Sequence, residues 1–138
     1  MLIVDAGPLV AAAATGDRNH VRSVELLTGA AGPLVVPSLV VTEVSCFLAD
    51  RIGPAAELAF AESLQAGDLL VEPVEPPDRP RIAELLRLYA DLELGIVDAS
   101  VLAACERLGE TKLATLDRRH FSVVRPRHCD ALALLPEG

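Results

Sequence analysis

Leu2-Ile3-Val4-Asp5-Ala6-Gly7-Pro8 is the stretch that decides the fold. Three apolar residues without polar alternation read as a strand buried on both faces. An aspartate followed by a proline within the first helical turn reads as that strand passing directly into a helix. The same grammar recurs along the chain. Leu34-Val35-Val36 is a second buried strand closed by Pro37, and Ser38 caps a helix to about Ile52, ended by Gly53-Pro54. Leu69 to Val74 is a third strand, Lys112 to Leu116 a fourth that ends at Asp117, and Ala131 to Leu135 a fifth. Helices fill the intervals: Ala11 to Ala14, Asp17 to Leu27 with Asp17 as N-cap, Ala55 to Ala66, a run through Ile82, Leu85, Leu86, Tyr89 and Leu92, and Val97 to Leu108. Pro73 to Pro80 reads as a linker too short to divide the chain, so residues 1–138 are expected to form one domain. Short apolar strands alternating with helices specify an α/β fold with a parallel sheet covered on both sides, whose function collects beyond the carboxyl ends of the strands. Two strands end there with an aspartate, Asp5 and Asp117.

Composition narrows the function classes. Of 138 residues 51% are hydrophobic and 23% charged, which excludes intrinsic disorder, and 3% aromatic content leaves Leu, Val and Ala to fill the core. No apolar run approaches the ~20 residues that span a bilayer, and Asp5 interrupts any signal-peptide pattern. Cys46, Cys105 and Cys129 are odd in number and widely spaced; Cys46 and Cys105 lie in apolar helical stretches, the expectation for buried thiols in a reducing cytoplasm. The net charge of −8 runs against a general nucleic-acid-binding role. Against it, Arg118, Arg119, His120, Arg125, Arg127 and His128 crowd together near the C-terminus, and two divalent ions would cancel about four negative charges.

Four acids stand out. Glu43 interrupts Leu39-Val40-Val41-Thr42-Glu43-Val44-Ser45-Cys46-Phe47-Leu48, an otherwise apolar helix, and a buried carboxylate costs several kcal/mol unless protonated, salt-bridged or bound to a cation. Asp98 opens the apolar helix Val97-Asp98-Ala99-Ser100-Val101, where an N-cap or first-turn role is the ordinary explanation. Asp5 also fits an N-cap, and Asp117 a turn residue paired with Arg118. Asp91 and Glu93 end an amphipathic helix and read as solvated. Jointly, two acids at strand ends and two in apolar helices form a cluster that only cations would neutralise. Such a cluster supports two-metal phosphodiester hydrolysis, and oxygen ligands favour Mg²⁺ or Mn²⁺ over zinc.

With these residues placed, the sequence resembles the PIN-domain ribonucleases, specifically the VapC-type toxins of bacterial toxin–antitoxin pairs. The matching elements are Leu-Ile-Val-Asp5, Val-Pro-Ser-Leu-Val-Val-Thr-Glu43, Gly-Ile-Val-Asp98-Ala-Ser and Leu-Ala-Thr-Leu-Asp117-Arg-Arg-His-Phe, in an order and spacing that cover essentially the whole chain. The resemblance implies a three-layer α/β/α sandwich with a central, mostly parallel sheet. It also implies Mg²⁺- or Mn²⁺-dependent endoribonuclease activity on structured RNA such as tRNA or rRNA, a homodimer, and inhibition by a cognate VapB-type antitoxin whose tail covers the active site. On this reading Asp5, Glu43, Asp98 and Asp117 are catalytic metal ligands, with Asp5 central. Thr115 and Ser100 are candidate supporting hydroxyls, and Arg118, Arg119, Arg125 and Arg127 hold RNA phosphates. His120 reads as a packed or capping side chain that could also contact RNA. Many relatives carry a hydroxyl residue just after the first aspartate; Ala6 and Gly7 stand there instead, which leaves backbone N–H groups or water to orient Asp5. Two rival readings are a receiver-type signalling domain, which needs paired acids after the first strand and a Lys ending a late one, and a non-catalytic RNA- or protein-binding module of the same fold. Asp5 is single and Lys112 begins its strand.

Overall fold

A computed structural model describes residues 1–138. Its five strands are β1 (Leu2–Val4), β2 (Leu34–Pro37), β3 (Leu69–Glu72), β4 (Lys112–Ala114) and β5 (Ala133–Leu135). They form one all-parallel sheet in the order β3-β2-β1-β4-β5. The Leu-Ile-Val run that opens the chain is its central strand, with Ile3 and Val4 fully buried. Strands flanked on both sides and covered on both faces have no solvent side, which is why they are apolar without alternation.

Helices α1 (Ala6–Ala13) and α2 (His20–Gly29) link β1 to β2, and α3 (Ser38–Arg51) and α4 (Pro54–Ala66) link β2 to β3. Then α5 (Asp78–Leu88), a single 3-10 turn at Ala90–Leu92 and α6 (Ile96–Leu108) lead back to β4, which is followed by the short α7 (Arg118–Phe121). Right-handed crossovers place α1 to α4 on one face and α5 and α6 on the other. The packing agrees: α1 lies against α2 and α3, α3 against α4, and α5 against α6, with α3 also reaching α6. This is the expected α/β/α sandwich. Helix α6 is its most enclosed member, buried from Ala99 through Cys105, and small alanines let it lie close to the sheet. It ends on Gly109, whose φ of 68° is the left-handed conformation that glycine adopts without a Cβ penalty.

The strand order reverses between β1 and β4, so their carboxyl ends flank a crevice of the kind in which α/β sheets bind ligands. An ionic clasp holds the opposite end of the α5–α6 layer. Arg81, 8% exposed, pairs with Glu84 and donates two 2.8 Å bonds to Glu106, while Arg107 pairs with Glu72 at 2.7 Å and Asp78 at 3.0 Å. No helix is long and apolar enough to cross a membrane.

Several local expectations shift. Pro37 lies inside β2, as its last residue, and Ser38 begins α3 without a side-chain capping bond. Asn19, not Asp17, is the N-cap of α2; the Asp17 carboxylate instead accepts from the Asn19 N–H at 2.7 Å, two residues too early. The proline-rich linker is already helical from Asp78. Cys46 is exposed, not buried; Cys105 is buried, and all three thiols are free.

Candidate active site

Asp5 follows β1 and occupies the N-cap position of α1, yet its carboxylate makes no capping bond there. Its N–H donates to the Ala114 carbonyl at 2.8 Å, tying the residue to β4. Its Oδ2 accepts from the Thr115 hydroxyl at 2.8 Å, and its Oδ1 is buried with no partner. Burial first, and then the charges of Asp98 and Asp117, raise its pKa from the ordinary 3.8 to about 6; the Ala6 N–H and the Thr115 hydroxyl pull the other way.

Thr115 is the hinge of the arrangement. Its single hydroxyl donates to Asp5 and accepts from the Asp117 N–H at 3.0 Å, so one side chain sets both strand-end aspartates. The hydroxyl absent after Asp5 is therefore supplied from β4's end, and the Ala6 backbone N–H acts on the carboxylate beside it, as expected from the sequence. Gly7 has a packing reason: a Cβ there would lie 3.1 Å from the Leu116 Cβ, so glycine lets α1 approach the segment that carries Asp117.

Asp117 is the N-cap of α7 and accepts from the His120 N–H at 3.1 Å. Its other oxygen meets His120 Nδ1 at 2.7 Å, and His120 Nε2 lies 3.2 Å from the Leu92 carbonyl. The expected pairing with Arg118 does not form; Arg118 turns instead to the Pro136 carbonyl at 2.6 Å. Asp117 raises the imidazole pKa above its ordinary value, through the hydrogen bond first, against the effect of burial. His120, read from sequence as a packing or capping residue, thus braces one of the acids. Its spacing three residues after an N-cap aspartate is the signal that places it there.

Asp98 lies in the first turn of α6, after the N-cap Gly95, and is half-buried. Ligand atoms of Asp98, Asp117 and His120 all fall within 4.8 Å of one another. Burial, and then the Asp117 charge, raise the Asp98 pKa, while the Gly95 N–H and His120 lower it. Glu43 projects from α3 into an open cavity of about 470 Å³, which Cys46, Ile96 and Val97 also line. It forms no salt bridge, so of the three ways to keep a buried carboxylate the ion pair is not used. Burial and then the charges of Asp5, Asp98 and Asp117 raise its pKa. All four acids therefore act on one another, as a shared cleft requires, whereas Asp91 and Glu93 are exposed.

The other candidates divide. Ser100 is buried but donates to the Val97 carbonyl at 2.6 Å, the usual fate of a helical serine, and makes no hydrogen bond to the acids. Arg119 is exposed without a partner, and Arg125 donates to the Ser122 carbonyl at 3.2 Å. Arg127 is bound to Glu84 at 2.7 Å beside the α5–α6 clasp. Glu106, which accepts from the Arg127 N–H, lies eight residues along α6 from Asp98, about 12 Å at helical rise. Arg127 thus belongs to that clasp and not to the cleft.

The donor set fits a hard divalent cation. Asp98 and Asp117 come together with His120, whose ring nitrogens are already engaged, while Asp5, with its buried unpartnered oxygen, and Glu43 stand outside that group and feel its charges.

The PIN-domain family model matches residues 2–125. The chain is 32% identical over 125 residues to Ribonuclease VapC26 of Mycobacterium tuberculosis, covering 91% of this chain and 93% of that protein. Among solved structures it is similar to Mycobacterium tuberculosis VapC20, described as a sarcin-ricin loop cleaving toxin, with a TM-score of 0.76 and 23% identity over 82% of this chain and 87% of that one. It is also similar to FitAcB from Neisseria gonorrhoeae, with a TM-score of 0.65 and 19% identity over 97% of this chain and 96% of that one. A central parallel sheet with acids beyond the ends of β1 and β4, a match along nearly the whole chain, and a ribonuclease relative at this identity lead to one assignment: the chain belongs to the PIN-domain family, as a homologue of its VapC-type ribonucleases.

Proposed function

We propose that the protein is a Mg²⁺- or Mn²⁺-dependent endoribonuclease, acting in the cytoplasm as the toxin of a toxin–antitoxin pair. The observation that carries the reading is Asp5, a carboxylate buried beside three other acids with one oxygen left without a partner. A charge so placed needs a cation, and the family supplies the reaction such a cation serves.

Asp5, Glu43, Asp98 and Asp117 would hold the ion. A divalent cation bound there supplies charge neutralisation and activates water for attack on a phosphodiester. The remaining work falls to the protein. Thr115 fixes the rotamer of Asp5 and, through the Asp117 N–H, the direction of the β4–α7 turn. His120 holds Asp117 between its backbone and ring nitrogens and offsets part of the negative charge on Asp98. Glu43 stands on α3 at the margin of an open, mostly apolar cavity that Ile96 and Val97, just before Asp98, also line. An acidic cleft in a chain of net charge −8 also suits a basic peptide, which supports inhibition by an antitoxin tail carrying arginine. A homodimer and a tRNA or rRNA substrate complete the proposal.

Purified protein should cleave total RNA in Mg²⁺ or Mn²⁺ and lose cleavage in EDTA. Asp5→Asn and Asp98→Asn should each lower the rate at least about a hundredfold while the far-UV spectrum stays unchanged. Undiminished cleavage in EDTA would overturn the metal mechanism. Metal binding without cleavage of any RNA would leave the non-catalytic module standing.

A further inference from the structure

Three arginines converge on one small cavity behind the β4–α7 turn. Arg18 and Arg22 come from the start of the α2 region and Arg118 from the first residue of α7, around a cavity of about 190 Å³ that Asn19, Thr115, Pro136 and Gly138 also line. No acidic side chain lines it, and none of the three arginines forms a salt bridge. What sets them apart from the other arginines without an acidic partner is that all three line one cavity. The oxygens that do approach are uncharged. Arg22 Nη2 donates to the Glu137 carbonyl at 2.7 Å and Arg118 Nη2 to the Pro136 carbonyl at 2.6 Å, while Arg18 has no partner at all. A carbonyl satisfies one donor of a guanidinium and orients it but leaves its charge and its other donors free. Three like charges held around one cavity, with Gly138 beside Arg22 and Arg118, make a positive pocket next to the acidic cleft and favour an anionic group there.

The two sites share a wall. Thr115, whose hydroxyl holds Asp5, also lines the arginine cavity, and Arg118 follows Asp117 directly. We propose that the Arg18–Arg22–Arg118 cavity binds a phosphate of the RNA strand next to the one being cut, and so positions the strand over the acids. The inference draws on the ribonuclease reading only for the polymer that carries the phosphate. It adds Arg18 and Arg22, which lie far in sequence from the basic C-terminal cluster, and of that cluster it retains Arg118, the one that lines this cavity.

The test uses the full chain in an Asp98→Asn background, which keeps RNA whole, and a 5′-fluorescein single-stranded RNA of stated sequence. Binding is read by fluorescence anisotropy at several KCl concentrations. Arg18→Glu is the primary variant, because an exposed side chain without a partner can change without disturbing the fold; Arg22→Gln is the second. Arg18→Glu should raise Kd at least about tenfold and reduce the slope of log K against log salt by about 0.7 for each phosphate that is no longer neutralised. Arg79→Glu, the same charge change at an exposed position on α5, should shift Kd by less than about twofold. In the otherwise wild-type enzyme, the loss from Arg18→Glu should fall on KM and not on kcat. Equal Kd values for the Arg18, Arg22 and Arg79 variants would overturn the proposal and leave the ribonuclease reading intact. Arg18-dependent RNA binding with no cleavage by the wild type in Mg²⁺ or Mn²⁺ would remove the ribonuclease reading and keep the phosphate site. Arg18-dependent capture of an acidic peptide, with no binding of RNA, would overturn the phosphate assignment.

Discussion

Asp5 carries more consequence than its neighbours because its protonation is coupled to folding. In the metal-free protein its pKa stands near 6 instead of 3.8, so the folded state holds the proton more tightly than the unfolded chain. Stability from this group is fully present below pH 3.8 and drains away as pH rises through about 6. The integrated loss is roughly 3 kcal/mol. Glu43 and Asp98, also shifted upward, lose stability in the same direction. Asp5→Asn removes the titration, so in EDTA the variant should gain stability over the wild type between pH 5 and pH 8, measured by urea denaturation. A difference independent of pH would contradict the origin assigned to the shift. Saturating Mg²⁺ should shrink the advantage or reverse its sign, because a cation stabilises the ionised form. The sequence shows the identity of this residue and its position at a strand end. It does not show the orphaned oxygen, because that depends on Thr115, 110 residues away, taking the other one.

Elements were legible wherever hydrophobic period and terminators agreed. Helix α4, bounded by Gly53 and Gly67, and α6, bounded by Gly95 and Gly109, lie within a residue of where their sequence signals put them. The misses have a common cause: a local signal that tertiary contacts outvote. Pro37 closes a strand by rule, yet β3 pairs with it in register through Glu72, a partnership no local window contains. Cys46 shares a helix with apolar residues but faces the open cavity beside Glu43. Gly7 looks like an ordinary breaker at a helix start, and its real role is to let α1 meet Leu116. Gly7→Ala should therefore destabilise the protein by about 1–3 kcal/mol, seen as a lower Tm. It should also slow RNA cleavage more than the stability loss alone explains, since the added methyl pushes Asp5 and Asp117 apart. A variant as active per folded molecule as the wild type would show that the contact serves packing only.

Across the whole molecule, charge is sorted more finely than a net value of −8 conveys. Acids gather in the cleft, three unpaired arginines gather behind it, and the α5–α6 clasp balances both signs at the far end. Sequence could locate the basic run of residues 118–128, but not that Arg127 leaves it for Glu84 while Arg18 and Arg22 join Arg118. The clasp should matter to stability alone. Glu106→Gln leaves Arg81, 8% exposed, with its main charge partner gone, and should cost about 3 kcal/mol in denaturant unfolding. Its metal-dependent cleavage should stay within about twofold of the wild type under conditions where both are folded; a large loss would mean that the two ends of α6 communicate. The topology has one more consequence, for truncated chains. The central strand β1 is synthesised first, yet Asp5 is completed by β4 and Thr115 from the far end of the chain. Any fragment that stops short of Thr115 and Asp117 therefore lacks both the hydroxyl that holds Asp5 and the fourth acid, and on the proposed reading cannot assemble the site.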